Sequence, residues 1–234
     1  TYGTHYLIER KRTTDLLQAY CYEALKVGNE KLNAELPAKR VTVFLNPIAN
    51  GERGRFSYDK IVAPLLHLAG IDVRLIRLEK NSEANAYMKE IDMNDTDCIV
   101  VAGGNATINE VISGLANRPD ANDFLKRIPI SIVPIGQTNT FAKKWFRNLV
   151  DYGEKEAELR LLADSAMSVI REEATFSDLL RITLNKSGEK KKRKKISEDG
   201  EAVEELKIET DSKKRGEYSL LNEKQRYALT TLSG

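Results

Sequence analysis

Three stretches of this 234-residue chain bring together residue types suited to holding phosphate. They read "FLNPIANGERG" from Phe44, "VVAGGNATINEV" from Val100 and "VPIGQTNTFAK" from Val133. Each leaves an apolar run and enters glycines, small amides and hydroxyls. Backbone N–H groups at Gly103, Gly104 and the helix start after Thr107 are suited to hold phosphate oxygens, through donor geometry and the helix dipole. Gly51 and Gly54 flank Arg53, whose charge suits neutralising a polyphosphate, and Asn46 opens the same loop. In the third stretch Gly136 precedes Thr138 and Asn139, side chains able to donate to a phosphate or a nucleoside. Neither GxxxxGK[ST] nor GxGxxG occurs, which excludes the P-loop and dinucleotide fingerprints. A single such loop is weak evidence, because glycine after a strand is more often only a tight turn. Three on one rim point to a ligand.

The elements around these loops predict that rim. "RVTVFLNP" is a β-branched run closed by Asn46-Pro47, a strand ending in a turn. "SYDKIVAPLLHLAG" has helical spacing, with Gly70 just past its end. "IDVRLIRL" alternates Ile71, Val73 and Leu75 against polar neighbours, as a strand does. Ser82 is placed to cap a helix through Met88 and Ile91. "DCIVVAGG" and "IPISIVPIG" are short continuous apolar runs, expected of strands buried on both faces. This alternation predicts an α/β fold, a parallel sheet with helices on both faces, whose site lies at the carboxyl ends of the strands. Before it, residues 7–36 form a charged helix with Leu16, Leu17, Tyr20, Leu25 and Leu32 as a loose apolar stripe. That helix either packs on the domain's flank or serves a partner or membrane surface.

Composition narrows the classes. A net charge of +2 gives no global field for nucleic acid. Cys21 and Cys98 read as buried thiols rather than a disulfide framework. No run reaches the roughly 18 apolar residues of a membrane span. The chain opens on Thr1 rather than methionine, as a fragment or a processed form would. Three divisions follow: a helical flank at 1–39, an α/β domain carrying the three loops at 40–150, and a linker helix with the start of a β unit at 151–234. Within the last, residues 186–195 carry seven basic side chains and one acidic, and residues 196–211 seven acidic and one basic. The blocks cancel, which favours a self-paired solvated insertion, spanning 186–216, over a nucleic-acid arm.

Together the three loops resemble those of the diacylglycerol kinase catalytic domain family, whose fold is related to NAD kinase and phosphofructokinase. The likeness is greatest to the mitochondrial acylglycerol kinase branch. It covers residues 40–146 strongly and 155–185 weakly. The resemblance implies an ATP-dependent lipid kinase using Mg²⁺, with nucleotide between a first α/β domain and a second, mostly β domain that continues well past Gly234. It implies a lipid substrate (monoacylglycerol, diacylglycerol or related), a membrane surface, and a location in the mitochondrial inner membrane or intermembrane space. Carried onto this sequence, Asn46 and Gly51 belong to the first phosphate loop, Gly103, Gly104 and Thr107 to the second, and Gly136, Thr138 and Asn139 to the third. Glu110 lies in the helix behind the second.

This chain departs from the family in the second loop. The family pattern Gly-Gly-Asp-Gly-Thr reads here Gly103-Gly104-Asn105-Ala106-Thr107. Asn105 is nearly isosteric with aspartate but cannot take a proton at neutral pH and is a poor magnesium partner. Ala106 brings a Cβ where the family has none, costly if the backbone there needs φ > 0. Two function classes stay open: a lipid kinase with weakened catalysis, and a non-catalytic structural subunit of the mitochondrial import-complex type. The resemblance supports both.

Overall fold

The computed structural model describes residues 2–79, 83–145, 154–185 and 217–230. The expected cap at Ser82 and the charged blocks of 186–216 lie outside the described residues. A long helix, α1 (Tyr2–Asn33), precedes β1 (Arg40–Leu45), and the loop after β1 leads into α2 (Arg53–Ser57), a π-helical turn (Tyr58–Val62) and α3 (Ala63–Leu68). There follow β2 (Asp72–Arg77), α4 (Glu83–Glu90), β3 (Cys98–Gly103), α5 (Asn105–Ala116), α6 (Ala121–Arg127), β4 (Ile130–Pro134), α7 (Thr140–Trp145) and α8 (Glu154–Arg171). The π turn has a local cause. Ala63 N–H donates to Tyr58 O five residues back, and Pro64, lacking an N–H, cannot continue the α ladder.

The four strands lie in the order β2-β1-β3-β4, all parallel, with Val43 opposite Leu75 and Val100, and Gly103 opposite Pro134. This is the α/β sheet expected from the alternation of elements. β1, β3 and β4 are buried along nearly their whole length, whereas β2 is the edge strand and largely exposed. Its expected alternation holds for Ile71 and Val73 and fails at Leu75, which stands 36 % exposed. An edge strand has a neighbour on one side only, so its pattern is weakly enforced.

On one face of the sheet, Val41, Val43, Leu45, Val100, Ala102 and Val133 pack against α1, the π turn, α3 and α8. On the other, α5 packs on β3 and α4 on α5. Cys98 is fully buried, and burial pushes its thiol up to about 12, as expected of an inert core thiol. Helix α8 is part of this core, burying Leu162, Ala163, Ala166, Met167, Val169 and Ile170. Its buried hydroxyls are satisfied locally, Ser165 onto Leu161 O and Ser168 onto Ser165 O.

Helix α1 takes the flank role. Tyr20, Cys21, Ala24 and Val27 face the core, while Leu25 and Leu32, expected in the stripe, point outward at 42 % and 74 % exposure. The inward line follows the i, i+3, i+4 rows that meet α8 and α3, and Leu25 lies about 100° around the helix from Ala24. Tyr20 Oη donates to Asp164 Oδ1 at 2.6 Å, tying α1 to α8. Burial, and then that hydrogen bond, raise the Tyr20 phenol above its ordinary range.

The chain divides into two compact units, Thr1–Ser177 with Tyr227–Gly234, and Asp178–Arg226. The sheet above belongs to the first, where Leu229 and Thr230 run parallel to Ile130 and Ser131 of β4. Strands β5 (Thr175–Asn185) and β6 (Glu217–Thr230) are neighbours in the sheet order.

At the amino end of the sheet, Arg40 Nη2 donates to Asp97 Oδ1 at 2.9 Å and Arg40 N to Asp97 Oδ2 at 2.8 Å. The Arg40 guanidinium holds the Asp97 carboxyl below the usual carboxylate range. A depressed carboxylate pKa stabilises the fold above the unfolded value, about 3.9, and that contribution is lost as pH falls through the folded value. Asp97→Asn should therefore lower the urea midpoint at pH 7, with the gap from wild type closing below about pH 4. A gap independent of pH would show that the pair does not titrate with folding.

Candidate functional site

All three loops leave the carboxyl ends of strands: 46–52 from β1, Gly104 from β3 and 135–139 from β4. The structure joins them pairwise. Between the first and second, Asn46 Nδ2 donates to Thr107 Oγ1 at 3.0 Å, and Asn46 N donates to Ala102 O at 2.9 Å. Between the second and third, backbone meets backbone. A Cβ built on Gly136 would lie 2.4 Å from Gly104 Cα, so only glycine fits there. Between the first and third, Gly54 is buried under β4's exit, where a Cβ would lie 2.7 Å from Ile135 O. The rim expected from sequence is a contiguous surface.

The second loop has the features of an anion site. Gly104, extended at φ −96° and ψ −174°, occupies the N-cap of α5 and makes no side-chain cap bond. The helical ladder includes Ile108 N–H donating to Gly104 O at 3.1 Å. The amides of Asn105, Ala106 and Thr107 precede it, at the positive end of a twelve-residue helix. Thr107 is buried, while Asn105 and Ala106 are exposed at the helix start. Ala106 sits in α5 and is not among the residues with positive φ. Left-handed strain is therefore absent, and what Ala106 adds is an exposed methyl group in the first turn of α5.

Asn105 links two loops. Its Nδ2 lies 3.3 Å from Thr138 Oγ1, and its Oδ1 accepts Phe141 N–H at 3.3 Å. Asn139 is placed differently from the sequence expectation of a ligand donor. It stands at φ 47°, and its Nδ2 bonds Pro134 O at 2.9 Å and Gly136 O at 2.7 Å. With the amide nitrogen committed inside its own loop, the side chain shapes the turn that exposes Thr138.

In the first loop Asn50, Gly51 and Glu52 all have positive φ, at 54°, 62° and 69°. For Glu52 this costs roughly 1–2 kcal/mol, strain of the kind that gathers at functional loops. The run swings the chain so that exposed Arg53 opens α2 just before Gly54 docks on Ile135. Glu110 lies half-buried, five residues into α5. Sequence reasoning missed the supporting contacts of Ile135, Pro134 and Phe141. They carry no polar signature, and their role exists only once the loops meet.

Chemically, the rim offers amide N–H groups, hydroxyls, one guanidinium and one carboxylate, Glu52. That set fits phosphate oxygens. It offers a magnesium ion little beyond Glu52, since magnesium asks for carboxylate oxygens. Among the described residues no group of three or more His, Cys, Asp or Glu side chains is placed to hold a metal.

The Gly136–Gly104 approach generates a direct test. Gly136→Ala forces a Cβ against backbone, which no rotamer change relieves, and should cost about 1–3 kcal/mol in urea unfolding. An unchanged midpoint would mean the two loops do not touch in solution.

A sequence model of the diacylglycerol kinase catalytic domain matches residues 40–175. The chain is 36% identical over 181 residues to mitochondrial acylglycerol kinase of Xenopus laevis, covering 77% of this chain and 40% of that protein. It is 32% identical over 182 residues to the Homo sapiens protein of the same name, covering 78% of this chain and 41% of the relative. Sphingoid long-chain bases kinase 1 of Arabidopsis thaliana is 34% identical over 104 residues, covering 44% of this chain and 14% of its own. The chain thus spans about two fifths of the length of the acylglycerol kinases it matches. The matched span holds all three loops and the strands that deliver them, and on that evidence this chain belongs to the diacylglycerol kinase catalytic domain family.

Proposed function

We propose that this chain is the nucleotide-holding part of a lipid kinase of the acylglycerol type, with phosphoryl transfer weakened by its second loop. The observation that carries this reading is the pairwise joining of the three loops beneath the start of α5, through Asn46–Thr107, Gly104–Gly136 and Gly54–Ile135. The ATP phosphates would lie against the amides of Gly104, Asn105 and Ala106. Thr107 holds Asn46 in place, Arg53 and Thr138 flank the anion, and Gly51 leaves its edge open. The lipid hydroxyl of a monoacylglycerol, diacylglycerol or related substrate would attack the γ-phosphoryl from a membrane surface. The names of the acylglycerol kinase relatives support a mitochondrial setting.

The reduced rate follows from charge. Phosphoryl transfer relies on positioning and electrostatics, plus a base for the hydroxyl proton. Asn105 preserves the positioning through Thr138 and Phe141 but supplies no base, a loss worth on the order of 10²–10⁴ in rate. Glu110 is the remaining carboxylate of the α5 start, half-buried behind Thr107. A second reading, a non-catalytic subunit such as an import-complex component, is favoured by the same Asn105 and Ala106.

Two measurements separate these. Millimolar ATP should raise the melting temperature, as any ligand that binds only the folded state does; an unmoved melting curve favours the structural reading. Asn105→Asp combined with Ala106→Gly should raise phosphorylation of monoacyl- or diacylglycerol at least about tenfold. A double variant no faster than wild type would show that the altered loop does not limit catalysis.

A further inference from the structure

We propose that this site binds the nucleotide's polyphosphate without a divalent cation. The inference rests on the reading that the loops hold a nucleotide, and goes beyond it in naming the charge state they select. A nucleotide site that presents a carboxylate toward the phosphates repels them unless a metal ion lies between. Here the residue at that place is Asn105, which is neutral. Its amide is also occupied, with Oδ1 accepting Phe141 N–H and Nδ2 at Thr138 Oγ1, both at 3.3 Å.

The rest of the rim agrees. Across residues 46–54, 103–107 and 136–140 the single carboxylate is Glu52, and Arg53 beside it balances its charge. No cluster of metal-ligating side chains exists among the described residues. What remains facing the anion is the uncapped start of α5, whose partial positive charge attracts phosphate oxygens directly. A magnesium ion on the nucleotide would neutralise part of the charge that this donor set recognises and would find only Glu52 among the carboxylates of the loops.

Isothermal titration of the full chain with ATP, once in EDTA and once in excess MgCl₂, tests this. The expected result is a dissociation constant in EDTA within about threefold of that in magnesium, or tighter. Asn105→Asp should weaken binding in EDTA by about tenfold and recover it when magnesium is added. Binding seen only with magnesium overturns the proposal and leaves the nucleotide reading standing. Absence of binding in both buffers removes the nucleotide reading and this inference with it. An Asn105→Asp variant as indifferent to magnesium as wild type would show that Asn105 does not set the metal requirement, and would also overturn it.

Discussion

The close approach of Gly104 and Gly136 is the constraint on which the site depends. Parallel pairing puts Gly103 opposite Pro134, so β3 and β4 end at the same level. The next residues of both chains must then share one small volume. A Cβ at Gly136 would fall within 2.4 Å of the other backbone, so the two loops meet without intervening side chains. From that contact the positions of Asn105, Thr138 and Phe141 follow, as does the direction of α5.

The first loop joins this pair by two different devices. Asn46 reaches across with its side chain to Thr107, and Gly54 presses backbone against Ile135. Between these anchors Asn50, Gly51 and Glu52 adopt left-handed conformations that the rest of the fold holds in place. The anchoring is possible because β1 lies in the middle of the sheet, paired on both sides and buried through Leu45. Helices α1 and α8 cover the face that the sheet's central strands present to them, and Tyr20–Asp164 fixes one helix against the other. The support of the rim thus extends into residues far from it in sequence.

Electrostatically the rim is nearly neutral, with Glu52 and Arg53 as its charged side chains and the neutral Asn105 where the family pattern has an aspartate. The scaffold around Asn105 is the same hydrogen-bonded bridge that an aspartate of equal shape would make, with the Thr138 hydroxyl able to act as donor or acceptor. Geometry and charge are therefore separable here. Under the proposed function, the loop keeps its bridging shape through Asn105 while lacking a carboxylate at that position.

Much of this was legible in the sequence. The apolar runs at 98–102 and 130–133, the second interrupted at Ser131, are the strands buried on both faces that their pattern led one to expect, and Gly70 stands at φ 68° just past its helix as spacing required. The order of the three motifs gave the family and the rim. Other features were not legible, because they depend on what each segment meets. Leu25 and Leu32 have the apolar character of core residues yet point outward, since α3 and α8 lie on the side of Ala24. Asn139 has the chemistry of a ligand donor but holds Pro134 O and Gly136 O, a role fixed by a left-handed turn. Residue type and spacing determined which groups could do chemistry and which strands would carry them. Tertiary packing alone decided which of those groups face the rim and which hold it together, because hydrogen-bond partners and close backbone contacts are properties of segments that meet in space.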